Sequence, residues 1–179
     1  MLRMPLLETS RLIIRPFVMD DLEPLHHLLD VELAQADFGS AKAAGLQDRA
    51  DWLRWAVLNY EQLARLYQPP YGDRAIVFKA TGRLIGACGF VPSFGPFGQL
   101  PALAAAGAGA RASLFTPEFG LFYAVSPSSQ RQGYAAEAAR ALIDYAFQQL
   151  HLQRVIATTR YDNAASIRVM QKISMTIER

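Results

Sequence analysis

The sequence predicts a single α/β domain, one sheet flanked by helices, and three observations carry that reading. The 179 residues are 51% hydrophobic and 19% charged, an ordinary globular balance in a length that buries one core. Short β-rich runs alternate with amphipathic helical patterns along the chain. No repeat or compositional break divides it, so the domain is expected to occupy residues 1–179.

Charge and cysteine content narrow the function classes. The formal net charge is +2 and the basic residues are scattered, so no stripe points to nucleic acid or an anionic membrane, and the expected partner is small. Cys88 is the only cysteine, which excludes an internal disulfide and a cysteine-based zinc site; its expected role is core packing. His26, His27 and His151 are dispersed and lack partners at ligand spacing, so no metal is expected. The opening residues lack an apolar h-region and residues 100–110 are too short to span a bilayer, which predicts a cytoplasmic protein.

The elements follow in order. Arg11-Leu12-Ile13-Ile14-Arg15-Pro16 reads as a strand stopped by proline, and Asp20-Asp21 caps a helix bearing Leu22, Leu25, Leu28 and Leu29. A second helix runs from Asp48 to the break at Pro69-Pro70; its Trp52, Trp55, Tyr60 and Tyr67 are expected to line the core or a pocket. Runs 74–80 and 83–91 form a hairpin about Thr81-Gly82. Residues 92–117, rich in glycine, proline and alanine, read as a surface connection that suits a lid.

A strand over 118–125 ends at Ser126-Pro127, and a helix follows with Ala139, Leu142, Ile143, Ala146, Phe147 and Leu150 on one face. Residues 154–159 supply another β run, Asp162-Asn163 starts a short helix, and 175–178 begin one more strand.

The turn Gln130-Arg131-Gln132-Gly133-Tyr134-Ala135 lies between a strand and a helix N-terminus, where free amides and the helix dipole favour an anion. Gly133 permits a sharp turn, Ala135 keeps the wall low, and Arg131 offers a charge-assisted contact. Taken alone, the same residues also describe an ordinary helix start. No G-x-x-x-x-G-K-[ST] sequence and no dinucleotide glycine spacing compete with it.

With the strand over 118–125, this turn, and Asn163-Ala164-Ala165-Ser166 followed by Val169-Met170-Gln171-Lys172, the chain resembles the GNAT acetyltransferase superfamily. Glu8-Thr9-Ser10-Arg11-Leu12-Ile13-Ile14-Arg15 is similar to the opening of its ribosomal-protein N-terminal acetyltransferase branch. The resemblance implies a mixed sheet splayed between the 118–125 and 154–159 strands. It implies acetyl-CoA as co-substrate, its pantetheine arm in the splay and its phosphates on Arg131, Gln132, Gly133, Tyr134 and Ala135. Acetyl transfer then goes directly to a primary amine of a protein N-terminus or small molecule. Ser174 stands where the family carries glycine, and the last strands are expected to be cut short, completed in one reading by a partner copy in a homodimer.

Transfer from a thioester needs a neutral amine, an oxyanion donor and a proton for the leaving thiolate. Glu118 is the candidate base, with a solvated strand-end carboxylate as the alternative. The resemblance assigns thiolate protonation to Ser166 and pantetheine contacts to Asn163, both of which also suit helix capping, and a strand amide between Tyr123 and Val125 to the thioester carbonyl. Glu137, in the first turn of the turn's helix, reads as structural. A non-catalytic acyl-CoA sensor is the rival function. A hydrolase finds no G-x-S-x-G elbow.

Overall fold

The computed structural model describes residues 4–36, 38, 45–100, 103 and 113–178. Five strands lie in sequence order, β1 (Leu7–Glu8), β2 (Leu12–Pro16), β3 (Gly72–Phe78), β4 (Arg83–Gly95) and β5 (Thr116–Val125), each antiparallel to the next. The helices are α1 (Leu22–His26), continued by a π-helical turn His27–Glu32, then α2 (Leu46–Arg65), α3 (Tyr134–Gln148) and α4 (Ala164–Lys172).

Alternation of side chains along the strands gives the sheet two apolar faces. One carries Leu12, Ile14, Ile76, Cys88 and Phe90, and α3 covers it with Ala138, Ala139, Leu142, Ile143 and Ala146. The other carries Ala75, Val77, Ala87 and Ala124 beneath Phe17, Leu25, Leu28 and Leu53 from the α1 and α2 side. Cys88 is wholly buried, and burial pushes its thiol up to about 12, so it is the expected packing residue. Arg74 is also wholly buried on the α3 face, its guanidinium donating to the Pro5 carbonyl at 2.8 Å over the Tyr145 ring.

Several elements differ from expectation, for identifiable reasons. The hairpin loop has four residues, since β3 ends at Phe78 and the Thr81 and Gly82 amides both donate to the Phe78 carbonyl; Gly82 adopts φ +69° as expected. β4 continues through Val91 and Pro92 to Gly95 because Ser93 pairs with Glu118 and Gly95 with Thr116. The expected surface connection therefore starts later, and the lid assignment over most of 101–112 falls outside the described residues.

The expected strand over 154–159 is reduced to a parallel bridge from Ile156 to Gly120, and 175–178 form no strand. The only parallel pairing among the described residues is thus this single bridge. Phe147 is 43% exposed and Leu150 lies past the end of α3, so the buried stripe is narrower than the periodicity suggests. On α2, Trp52 and Tyr60 pack against the core and Trp55 is exposed, as is Tyr67 beyond the end of the helix.

Candidate active site

The α3 N-terminus follows a sharp turn out of β5. Ser126 ends β5, Pro127–Ser129 make one 3-10 turn, and Gly133 then takes φ +85°, the left-handed region that glycine enters without a Cβ penalty. Arg131 reaches φ +60° just before it. The first intrahelical bond runs from the Glu137 amide to the Gly133 carbonyl at 3.0 Å. The preceding amides of 131–136 have no acceptor among the described residues, the arrangement that draws an anion to a helix N-terminus.

Arg131 and Gln132 are exposed at this turn and Ala135 is half-buried. Tyr134 turns inward: it is buried, packed 5.4 Å from the Phe78 ring, with the Arg11 guanidinium 4.5 Å above it.

Arg11 is the residue that the sequence did not flag. Its Nη1 donates to the Gln132 carbonyl at 3.1 Å, and its Nε and Nη2 pair with Glu137 Oε2 at 2.7 and 2.6 Å. The other Glu137 oxygen accepts from the Thr9 hydroxyl at 2.6 Å, the Ser10 hydroxyl at 3.2 Å and the Arg11 amide at 3.0 Å. Against the opposing effect of burial, bonds from Thr9 and Arg11 hold the Glu137 carboxyl below its ordinary range. Glu137 thus has the structural role expected of it, clamping the β1–β2 turn onto α3. Holding the Gln132 carbonyl on the Arg11 side fixes the Gln132–Gly133 peptide plane and turns its N–H the other way.

The second part of the site is the outer edge of β5. The Leu121 amide donates to the Ile156 carbonyl at 2.7 Å and the Ile156 amide to the Phe119 carbonyl at 3.0 Å. The Ser126 amide donates inward, to Ile85. By the two-residue alternation of a strand, the Tyr123 and Val125 amides point outward like that of Leu121. Neither has an acceptor among the described residues, so the edge is paired at Leu121 and open from Tyr123 onward. The Val125 carbonyl on the same edge accepts from Gln130 Nε2 at 3.0 Å, tying the edge to the turn.

Helix α4 faces this opening. Asn163 caps it, its Oδ1 accepting the Ser166 amide at 3.0 Å. Ser166 in turn meets Tyr123: the phenol oxygen lies 2.8 Å from Ser166 Oγ and 3.1 Å from its carbonyl oxygen. Burial raises the Tyr123 phenol above its ordinary range, partly offset by the Ser166 bond, so it is a neutral donor.

Glu118, the third residue of β5, has its side chain only 8% exposed. Arg154, also unflagged in the sequence, pairs with it through Nε and Nη2, both directed at Oε1. Oε2 has no partner among the described residues. The pair raises the Arg154 guanidinium further above its ordinary range. No group of three His, Cys, Asp or Glu side chains able to hold a metal occurs among the described residues, and His26 instead pairs with Asp30 at 2.9 Å.

The class, an acyltransferase, is given by the family to which the sequence matches. The chain belongs to the acetyltransferase (GNAT) family, whose domain model matches residues 11–176. It is 29% identical over 175 residues to the uncharacterized N-acetyltransferase YoaA of Bacillus subtilis, covering 97% of this chain and 84% of that protein. A shorter match, 47% over 53 residues, joins it to the uncharacterized N-acetyltransferase YnaD of the same organism, covering 30% of this chain and only 31% of YnaD.

Among solved structures, a GNAT-family acetyltransferase from Bacillus anthracis superposes with a TM-score of 0.70 at 22% identity, over 98% of this chain and 86% of that one. RimL, a ribosomal L7/L12 alpha-N-protein acetyltransferase in complex with coenzyme A, superposes with a TM-score of 0.63 at 17% identity, over 98% and 86%. At such identities the likeness is one of fold, and it includes the ribosomal-protein branch that the opening residues resemble.

Among the described residues, no helix is long and apolar enough to cross a membrane.

Proposed function

We propose that the protein transfers an acetyl group from acetyl-CoA directly to a primary amine. The observation that carries this reading is the junction of β5 and α3, where unpaired amides at 131–136 and a left-handed Gly133 adjoin the open Tyr123–Val125 edge. The amides and the low wall at Gly133 and Ala135 fit a diphosphate. The Tyr123 and Val125 amides suit an extended pantetheine arm, which supplies an activated acetyl thioester when bound. Asn163, whose Oδ1 is taken by the cap, retains its amide N–H groups for the same arm.

In this reading the amine nitrogen attacks the thioester carbonyl carbon, a bond forms from nitrogen to carbon, and the carbon–sulfur bond breaks. A β5 amide polarises the carbonyl oxygen. Ser166 Oγ–H gives a proton or hydrogen bond to the departing thiolate, the Tyr123 phenol, 2.8 Å away, resupplies Ser166, and the second proton, which the nitrogen sheds as the amide forms, restores the hydroxyl pair by way of solvent. Glu118, through Oε2 and directly or by way of water, takes the proton that the ammonium must lose. Arg154 holds Oε1, fixing the carboxylate's orientation. Two acceptor classes suit this reading, protein N-termini, which the fold likeness to ribosomal-protein acetyltransferases supports, and small-molecule amines.

The test is thiol release from acetyl-CoA against a panel of amines and N-terminal peptides. Amine-dependent release, with one acetylated product per thiol, supports the transferase. Acetyl-CoA binding without release would favour a sensor.

A further inference from the structure

Asp73 lies on the face of the sheet that α1 and α2 cover, in alternation with Ala75 and Val77. Its Oδ1 is sealed from water and accepts no hydrogen bond among the described residues, although the residue as a whole keeps partial exposure. The groups that should compensate it are committed elsewhere. Arg49, the cation that acts on Asp73, spends its guanidinium on Asp30 at 2.6 and 2.8 Å, and the Tyr60 hydroxyl donates to the Asp73 backbone carbonyl. Burial pushes the Asp73 carboxyl up to about 6, so it remains mostly ionised at neutral pH. An ionised carboxylate held in such surroundings without a counter-charge opposes folding, which makes it a candidate ligand site.

The surroundings indicate where a counter-charge would come from. Asp73 pairs across the sheet with Gly89, and Gly89 with Phe122. Gly89 contributes no side chain between Asp73 and Phe122, and its backbone lies close against β3, where a Cβ would fall 2.3 Å from the Gly72 carbonyl oxygen and 2.6 Å from the Asp73 Cα. Phe122 packs edge-on against Phe38 at 5.6 Å, so the sheet face beyond Gly89 is aromatic. The next residue after Phe122 is Tyr123, at the open edge. Two strand spacings place Asp73 about 10 Å from β5, too far to serve the reacting amine and a suitable distance for a second charge on the same molecule.

We propose that Asp73 anchors a positive charge carried by the acceptor at a distance from the nitrogen that is acetylated, so that the site selects dicationic amines. The inference rests on the transferase reading for the position of the reacting nitrogen. The binding of the second cation itself is measurable without turnover.

The test uses octylamine and its α,ω-diamine counterpart as probes, titrated calorimetrically into the full chain saturated with CoA, and into the chain alone as a control. The expected result is at least about tenfold tighter binding of the diamine by the wild type. In Asp73→Asn the diamine and the monoamine should bind alike, with unchanged CoA affinity. Equal affinity of the two probes for the wild type, or a preference that survives in folded Asp73→Asn, overturns the inference. Thiol release with both probes separates the two ideas. Release without diamine preference defeats the Asp73 site alone, whereas diamine preference without release defeats the transferase reading alone.

Discussion

The Tyr123 phenol oxygen stands 2.8 Å from Ser166 Oγ and within hydrogen-bond reach of the Ser166 carbonyl, joining β5 to the first turn of α4 across 43 residues of sequence. The contact places two hydroxyls beside the open strand edge, one on the sheet and one on a helix already capped by Asn163. If they act as a unit on the leaving thiolate, their effects on rate will not add.

Tyr123→Phe and Ser166→Ala are each expected to lower kcat about tenfold or more, with little change in KM for acetyl-CoA, and the double variant to be scarcely slower than the worse single one. Steady-state kinetics on the three variants check this. Additive losses would mean that the two hydroxyls act independently.

The clamp between Arg11 and Glu137 should appear in cofactor binding and in acid stability. Arg11→Ala frees the Gln132 carbonyl and is expected to raise KM for acetyl-CoA about tenfold at near-constant kcat. The Glu137 carboxyl titrates below its ordinary range when folded, so its contribution is complete above the unfolded value of about 4.3 and disappears as pH falls through the folded value. Glu137→Gln should lower the melting temperature at pH 7 and flatten its decline in acid, as read by melting curves between pH 7 and pH 3.

Asp73 has the opposite sign. Its carboxyl is raised to about 6, so the folded state is favoured while it is protonated and loses that advantage as pH climbs through about 6. Asp73→Asn should therefore raise the unfolding free energy at pH 8, by an amount on the order of 3 kcal/mol or less, and have little effect at pH 4. Denaturant titrations at the two pH values measure the difference.

Much of this architecture is legible in the sequence because it is local. The proline-stopped β2, α2 up to Pro69-Pro70, the β3–β4 hairpin and the strand–turn–helix around Gly133 each declare themselves within about fifteen residues through periodicity, glycine and proline. Asn163 as a cap belongs to the same class. What escaped is set by distance along the chain. Arg11 meets Glu137 across 126 residues and Arg154 meets Glu118 across 36, and neither arginine carries a local mark. Residues 154–159 read as a strand because Val155 and Ile156 favour extended backbone, yet only Ile156 finds a partner, at Gly120. Asp73 was hidden in an ordinary β-run, since its lack of a counter-charge is decided by what Arg49 and Tyr60 do instead.

The most direct test of the central claim is the CoA affinity of Gly133→Val, measured by calorimetry beside the wild type. At φ +85° a β-branched residue is strained and its branches crowd the amides of 131–136, so the affinity should fall at least about tenfold while the variant still melts cooperatively. A folded Gly133→Val that binds CoA as tightly as the wild type would contradict the assignment of the Gln130–Ala135 turn to the diphosphate.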